Sequence, residues 1–236
     1  MFSSGIIAAG HGSRFKDKGF TYPKPLLKVA GTELLGRTIT ELKKAGITHI
    51  RIIFRNSICD KCTSYLKKSF PEICFQIICK DTSSSAESFL TILNAANHDE
   101  RMIITTVDSI FTPGKLRNFI EQAQKMPSDG VILGVTTYID DEKPLYVKLS
   151  CEGDSKITAI GGNDGDAVTC GVYLLPARIT KKAKDKKYSA LRAFLSDLFL
   201  QGIEFRAIDM GKVIDVDRPE DLIQAEEFLR SNTIRD

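Results

Sequence analysis

Gly5-Ile6-Ile7-Ala8-Ala9-Gly10-His11-Gly12-Ser13-Arg14-Phe15 is an apolar run that breaks on two closely spaced glycines. Gly5–Ala9 reads as a buried strand, because a short run of small and apolar residues with no polar alternation belongs between two covered faces. Gly10 and Gly12 then let the backbone turn sharply and bring its N–H groups close to a phosphate. Further on, Pro23-Lys24-Pro25-Leu26-Leu27 holds a lysine between two prolines that stiffen the segment. Arg14 offers a planar fork of donors suited to phosphate oxygens, and Lys24 a compact positive charge. The set makes an anion cradle with two cations aimed into it. It is not a P-loop, since no Gly-Lys-Ser/Thr follows, and the third glycine of G-x-G-x-x-G is missing.

Outward from this loop, strands alternate with amphipathic helices. Leu34–Ala45 has helical spacing (Leu34, Leu35, Ile39, Leu42) and stops at Gly46. Strands are expected at His49–Phe54, Ile73–Cys79, Met102–Val107 and Gly130–Thr137, with helices at Lys61–Lys68, Ala86–Ala96 and Gly114–Lys125 between them. This order predicts an α/β fold of three layers, with a mainly parallel, Rossmann-like mixed sheet covered by helices on both faces. The pattern then changes. Leu145–Ser150, Ile157–Ile160 and Val168–Leu175 read as successive strands joined by Gly-rich turns, a small antiparallel insertion. Helices at Ala177–Lys184 and Ser189–Leu200, a strand at Phe205–Met210 and a last helix at Pro219–Arg230, with Pro219 at its first position, complete a single domain over 1–236.

Composition narrows the function classes. Hydrophobic residues make up 42% of the 236 and charged residues 27%, with a net charge of only +3, so the scattered basic residues form no nucleic-acid footprint. No apolar run has the length of a membrane span, and the first residues lack the basic region of a signal peptide, so a cytoplasmic protein is expected. Cys59-Asp-Lys-Cys62 is a C-x-x-C pair among six cysteines. A zinc site would want a second such pair, and His11, His49 and His98 are too dispersed to supply ligands. Reduced thiols are the expectation.

Three further segments carry candidate chemistry. Thr105-Thr106-Val107-Asp108 ends a strand, where ligand-binding residues of parallel sheets gather, and a carboxylate there suits Mg²⁺. Val213-Ile214-Asp215-Val216-Asp217-Arg218-Pro219-Glu220-Asp221-Leu222 presents two more aspartates, of which Asp217 is also placed to cap the last helix. In Thr82-Ser83-Ser84-Ser85-Ala86-Glu87, Ser84 and Ser85 stand where a helix begins and suit its cap.

Taken together, these motifs resemble the sugar-phosphate nucleotidyltransferases of the GT-A-like fold, which carry a strand, then G-x-G-[ST]-R, then P-K-P-L. The matching positions are Gly10, Gly12, Ser13, Arg14, Pro23, Lys24, Pro25, Leu26, Gly31, Leu34 and Leu35, and Glu33 stands where that family often has proline. The resemblance implies that Ala8, Ala9, Gly10, His11, Gly12 and Ser13 hold the nucleotide, with Ser84 and Ser85 beside the base. It implies Arg14 and Lys24 as catalytic residues, and Gly171 and Tyr173 of Cys170-Gly171-Val172-Tyr173 in the acceptor pocket. It also implies Mg²⁺, or Mn²⁺, on Asp108 and Asp215, with Asp217 as the alternate ligand. The expected reaction moves a nucleoside monophosphate from an NTP to a phosphorylated small molecule such as a sugar phosphate, with no nucleic-acid or membrane partner. The Glu-Lys-Pro motif of many such enzymes is absent after Ile160, and Glu142-Lys143-Pro144 precedes its strand instead, which leaves the acceptor open. Two rivals are a metal-dependent glycosyltransferase, reading Asp215-x-Asp217 as its D-x-D motif, and a non-catalytic nucleotide-sensing module. The late position of that motif and the Pro23-Lys24-Pro25 segment count against the first. The joint presence of Arg14, Lys24, Asp108 and Asp215 counts against the second.

Overall fold

Side chains that alternate between two faces of a sheet need cover on both sides, and the helices supply it. In the computed structural model, which describes residues 2–96, 100–127, 129–140, 143–182 and 188–233, the first half of the chain forms β1 (Phe2–Ala8), α1 (Ser13–Asp17), a 3-10 turn over Lys24–Leu26, β2 (Lys28–Val29), β3 (Thr32–Glu33), α2 (Leu34–Lys44), β4 (His49–Phe54), α3 (Asn56–Ser69), β5 (Cys74–Cys79), α4 (Ser85–Asn94), β6 (Arg101–Thr106), β7 (Ser109–Ile110) and α5 (Lys115–Lys125). The second half adds β8 (Val131–Thr136), β9 (Tyr146–Leu149), β10 (Ile157–Ile160), β11 (Ala167–Leu175), α6 (Ala177–Lys182), α7 (Leu191–Leu200), β12 (Phe205–Asp209), β13 (Ile214–Asp215) and α8 (Pro219–Thr233).

The described strands include a nine-stranded mixed sheet. Its first part, β5-β4-β1-β6, is parallel throughout. β11 then enters antiparallel between β6 and β8, and β12 runs parallel beside β8. The strand expected at Gly130–Thr137 is therefore not a neighbour of β6: a later, nine-residue strand separates them. β9 and β10 form the antiparallel insertion and join the sheet through β11. Ile6, Ala8, Ile50, Ile52, Ile103 and Val172 face one core with α2, α3, α5 and α8. Ile53, Met102, Ile104, Leu133 and Tyr173 face the other with α4 and α7. The result is the expected three-layer α/β/α arrangement.

Several boundaries move for local reasons. The helix expected from Lys61 begins at Asn56, directly after β4, and puts Cys59 and Cys62 on one buried face a turn apart. Cys59 reaches β5 and forms a disulfide with Cys79, their Cα atoms 5.9 Å apart, while Cys62 stays a buried free thiol. This corrects the expectation of reduced thiols for that pair and ends the C-x-x-C reading, because the two cysteines of the motif do not serve together. The expected helix residues beyond Lys182, and His98, lie outside the described residues.

Candidate active site

The carboxyl ends of β1, β4, β5 and β6 lie along one edge of the sheet, and the glycine loop leaves β1 there. Gly12 takes φ +59°, a left-handed conformation that a side chain would strain, and caps α1. Pro23 sets the following turn with φ −57° and ψ 131°, and the Leu26 N–H donates to the Pro23 carbonyl at 2.8 Å. The turn aims Lys24 inward. Its Nζ donates at 2.7 Å to Asp108 Oδ2 and at 2.7 Å to Asp217 Oδ1, and only 11% of the side chain is exposed. Burial alone would lower the Lys24 pKa, but the attraction of Asp108 and Asp217 outweighs it and raises the ammonium well above its ordinary value. Arg14 lies on the Asp217 side, its Nη1 3.6 Å from Asp217 Oδ2.

A two-residue ribbon assembles the carboxylates. β7 pairs antiparallel with β13, which sets Asp215 opposite Ser109, and the Val216 N–H donates to the Asp108 carbonyl at 3.0 Å. Ser109 Oγ donates to Asp215 Oδ1 at 2.6 Å across a separation of 106 residues. Gly171 makes room for this contact, since a Cβ there, at φ +80°, would stand 2.5 Å from both Ser109 Oγ and Thr106 Oγ1. Asp215 opens into the adjoining cavities while protein packs behind it. That desolvation, then Asp108 and Asp217, push its carboxyl up to about 7, against the Ser109 hydrogen bond and the Lys24 charge. Desolvation would raise Asp108 as well, yet Lys24 holds its carboxyl below the usual range.

Two cavities meet at this point. One, of about 240 Å³, is lined by Ala8, Ala9, Gly10, His11, Lys24, Ser84, Ser85 and Asp108, so it unites most of the residues expected to hold the nucleotide. The other, of about 560 Å³, is lined by Gly171, Tyr173, Asp108, Asp215 and Asp217. They share Ser85, Thr106 and Asp108. Gly12 borders a smaller cavity on the far side of the loop, and Ser13 begins α1. The larger cavity also holds two cations, Arg192, which motif reading passed over, and Lys143, whose Glu-Lys-Pro segment precedes its strand. Arg192 Nη2 donates to the Lys143 carbonyl at 2.5 Å and ties the segment before β9 to α7.

The oxygen donors here fit magnesium. Among the described residues no three His, Cys, Asp or Glu side chains converge as a complete cage, but Mg²⁺ asks for only one or two carboxylates beside phosphate oxygens and water. The high proton affinity of Asp215 beside Asp108 marks negative charge that a cation would relieve.

The caps differ in part from expectation. Asp217 does not cap α8: Asp221 Oδ2 accepts from the N–H groups of Asp217 at 2.7 Å and Arg218 at 2.6 Å, and Asp217 turns to Lys24 instead. Ser84 does cap α4, accepting the Glu87 N–H at 3.1 Å, and Glu87 accepts from Ser83 N at 2.8 Å. The Ser83 N–H bond and then Lys80 lower the Glu87 carboxyl to about 2. A depressed carboxyl stabilises the fold above its unfolded pKa and loses that contribution as pH falls toward the folded value. Glu87→Gln should therefore flatten the fall in thermal midpoint between pH 4.5 and 2; an acid limb identical to wild type would refute this.

Residues 5–160 match the MobA-like NTP transferase domain, and the chain belongs to that family. It is 27% identical over 234 residues to the bifunctional IPC transferase and DIPP synthase of Aquifex aeolicus, across 98% of this chain and 52% of that one. The protein of the same name from Archaeoglobus fulgidus is 27% identical over 243 residues, 98% of this chain and 44% of the relative. The chain thus spans about half the length of these curated relatives. Among solved structures, the inositol-1-phosphate CTP transferase of T. maritima superposes with a TM-score of 0.81 at 20% identity, covering 99% of this chain and 96% of that one. That likeness is one of fold.

Proposed function

We propose that this chain, acting as one domain over 1–236, transfers a nucleoside monophosphate from an NTP to a phosphorylated small molecule, a sugar phosphate or a similar polyol phosphate, and releases pyrophosphate. The observation that carries this reading is the junction of the two cavities, where Lys24, Asp108, Asp215 and Asp217 meet. The names of the relatives, with inositol-1-phosphate and CTP in one of them, support the same chemistry.

The acceptor's phosphate oxygen attacks the α-phosphorus, and the bond from that phosphorus to the bridging oxygen breaks, leaving its electron pair on pyrophosphate. A phosphate monoester is already anionic near neutral pH, so no general base is needed and catalysis rests on placement and charge. The Gly10–Ser13 loop holds the phosphates while Ser84 and Ser85 border the base. Lys24 neutralises charge that builds on the α-phosphoryl oxygens. Lys143 and Arg192 give the acceptor cavity the positive charge that a phosphorylated substrate requires. Asp108 and Asp215 would hold Mg²⁺ or Mn²⁺, which supplies Lewis-acid polarisation of the reacting phosphates when bound. A cytoplasmic setting goes with this reading, since NTPs are abundant there.

The test is a pyrophosphate-release screen of the four common NTPs against phosphorylated and unphosphorylated sugars and polyols, with and without EDTA. Release should require a phosphorylated acceptor and free divalent cation. NTP binding with no turnover across the panel, or transfer of sugar from an NDP-sugar donor, would overturn the proposal.

A further inference from the structure

The nine-stranded sheet ends on β10, β12 and β5, and the three edges differ. Along the outer side of β12 the Ala207 N–H donates to the Ser155 carbonyl at 2.7 Å and Lys156 bridges to Arg206, so that edge is covered. β10 has four residues and a bulge against β9. Short, bulged or covered edges are the usual protection of a sheet against pairing with another chain. β5 has none of these. It runs beside β4 over Cys74–Cys79 without a register shift, and Cys74-Phe75-Gln76-Ile77-Ile78-Cys79 holds no charge and no proline.

The pleat decides which of its backbone groups are free. The N–H groups of Cys74 and Lys80 donate to the Thr48 and Phe54 carbonyls, each at 2.9 Å. The even-numbered residues therefore turn their backbone groups toward β4, and Phe75, Ile77 and Cys79 turn theirs outward. Among the described residues β4 is the sole strand paired with β5. An antiparallel neighbour has to set outward residues opposite outward residues. A second copy of the chain does so when a two-fold axis passes through Gln76, which puts Phe75 of each copy opposite Ile77 of the other. Phe75 and Ile77 are partly buried on the α3 face of the sheet, so this pairing adds an aromatic–β-branched contact on each side of the axis.

Charge selects the same register. With the axis at Gln76, Glu72 of each copy stands opposite Lys80 of the other, and the two side chains are 44% and 46% exposed. Each also has an in-chain partner, Lys43 for Glu72 and Glu87 for Lys80, and is open enough to take a second. An axis at Phe75 or Ile77 would face Glu72 with Ile78 or Thr82 and lose the ion pairs. We infer that β5 is a self-association surface, through which two copies of the chain join their sheets antiparallel about a two-fold axis at Gln76. Such a contact uses the same strand on both copies and closes at the dimer.

Analytical ultracentrifugation of the full chain at micromolar concentration tests this and should give twice the 26.2 kDa chain mass. Gln76 is exposed, so Gln76→Lys should keep the wild-type far-ultraviolet dichroism. It sets two ammonium groups against each other at the axis and should weaken the dimer about fivefold or more. Cross-linking reads the register. Residues opposed in a non-hydrogen-bonded antiparallel pair have Cα atoms about 4.5 Å apart, within disulfide range. With the exposed Cys74 and Cys151 changed to serine, Gln76→Cys should form a covalent dimer in oxidised glutathione. Cys74, retained instead as the exposed cysteine, should not, because its two copies lie roughly 13 Å apart along the strands. A 26.2 kDa species throughout overturns the inference. So does a dimer that Gln76→Lys leaves intact and Gln76→Cys fails to trap, since its interface then lies elsewhere.

Discussion

Lys24→Ala should lower kcat by roughly a hundredfold while NTP affinity changes only a few fold. The Lys24 ammonium is held at 2.7 Å by two carboxylates and is nearly buried, so its charge is fixed before substrate arrives. Removing a preorganised charge that acts mainly on the transition state costs on the order of 3 kcal/mol, which corresponds to about that factor in rate. The variant also leaves Asp108 and Asp217 facing each other without their shared cation, so the metal-free protein should melt at a lower temperature. The pH profile adds a check. A lysine pKa raised above its ordinary 10.5 keeps its stabilising contribution below that pH and loses it only above. No alkaline limb below about pH 10 should therefore disappear with Lys24. An unchanged kcat with a raised KM would make Lys24 a binding residue only.

The aspartates at 215 and 217 should separate even more sharply. Asp215→Asn is expected to lower activity by more than about a hundredfold, because it removes a carboxylate proposed to hold the metal but keeps the side chain's shape. Asp217→Asn should cost about tenfold, through a loosened Lys24, and should lower the thermal midpoint through the lost ion pair, not through the α8 cap, which stays with Asp221. Asp215 is the proposed ligand because the Ser109 hydroxyl holds it at the open cavity, while Asp217 faces both Lys24 and Arg14. A carboxyl raised to about 7 destabilises the metal-free fold progressively as pH rises from the ordinary 3.8 through 7. The asparagine variant escapes this penalty. Without metal it should melt above wild type at pH 8 and close to it near pH 4. An active Asp215→Asn beside a dead Asp217→Asn would reverse the assignment.

Periodicity made much of the fold legible. His49–Phe54 and Ile157–Ile160 are strands with the expected bounds, because alternating and β-branched residues leave few other solutions. α2 ends one residue before its expected limit, at the glycine stop. The glycine loop and the proline-flanked lysine were equally visible, since their backbone demands are local. Other features gave no periodic signal. β7 and β13 have two residues each, too short for any period to register, yet they align Asp215 with Ser109. Nothing local marks Lys143 and Arg192 as partners, nor Cys59 and Cys79, which lie 20 residues apart.

What the sequence by itself determined is the alternation of strands and helices, the proline-stiffened segment around Lys24, and the identity of most of the charged residues that chemistry would need. What only the tertiary structure decided is which of those charges meet. Asp217 looked like a helix cap because a cap is a local role and its neighbours suit one. It became a partner of Lys24 because the β7–β13 ribbon carries the approach to α8 across the end of β6, where the strong attraction of a nearly buried ammonium replaces the modest gain of a cap that Asp221 supplies. Such long-range pairing depends on the path of the chain through the sheet, and no window of neighbouring residues encodes it.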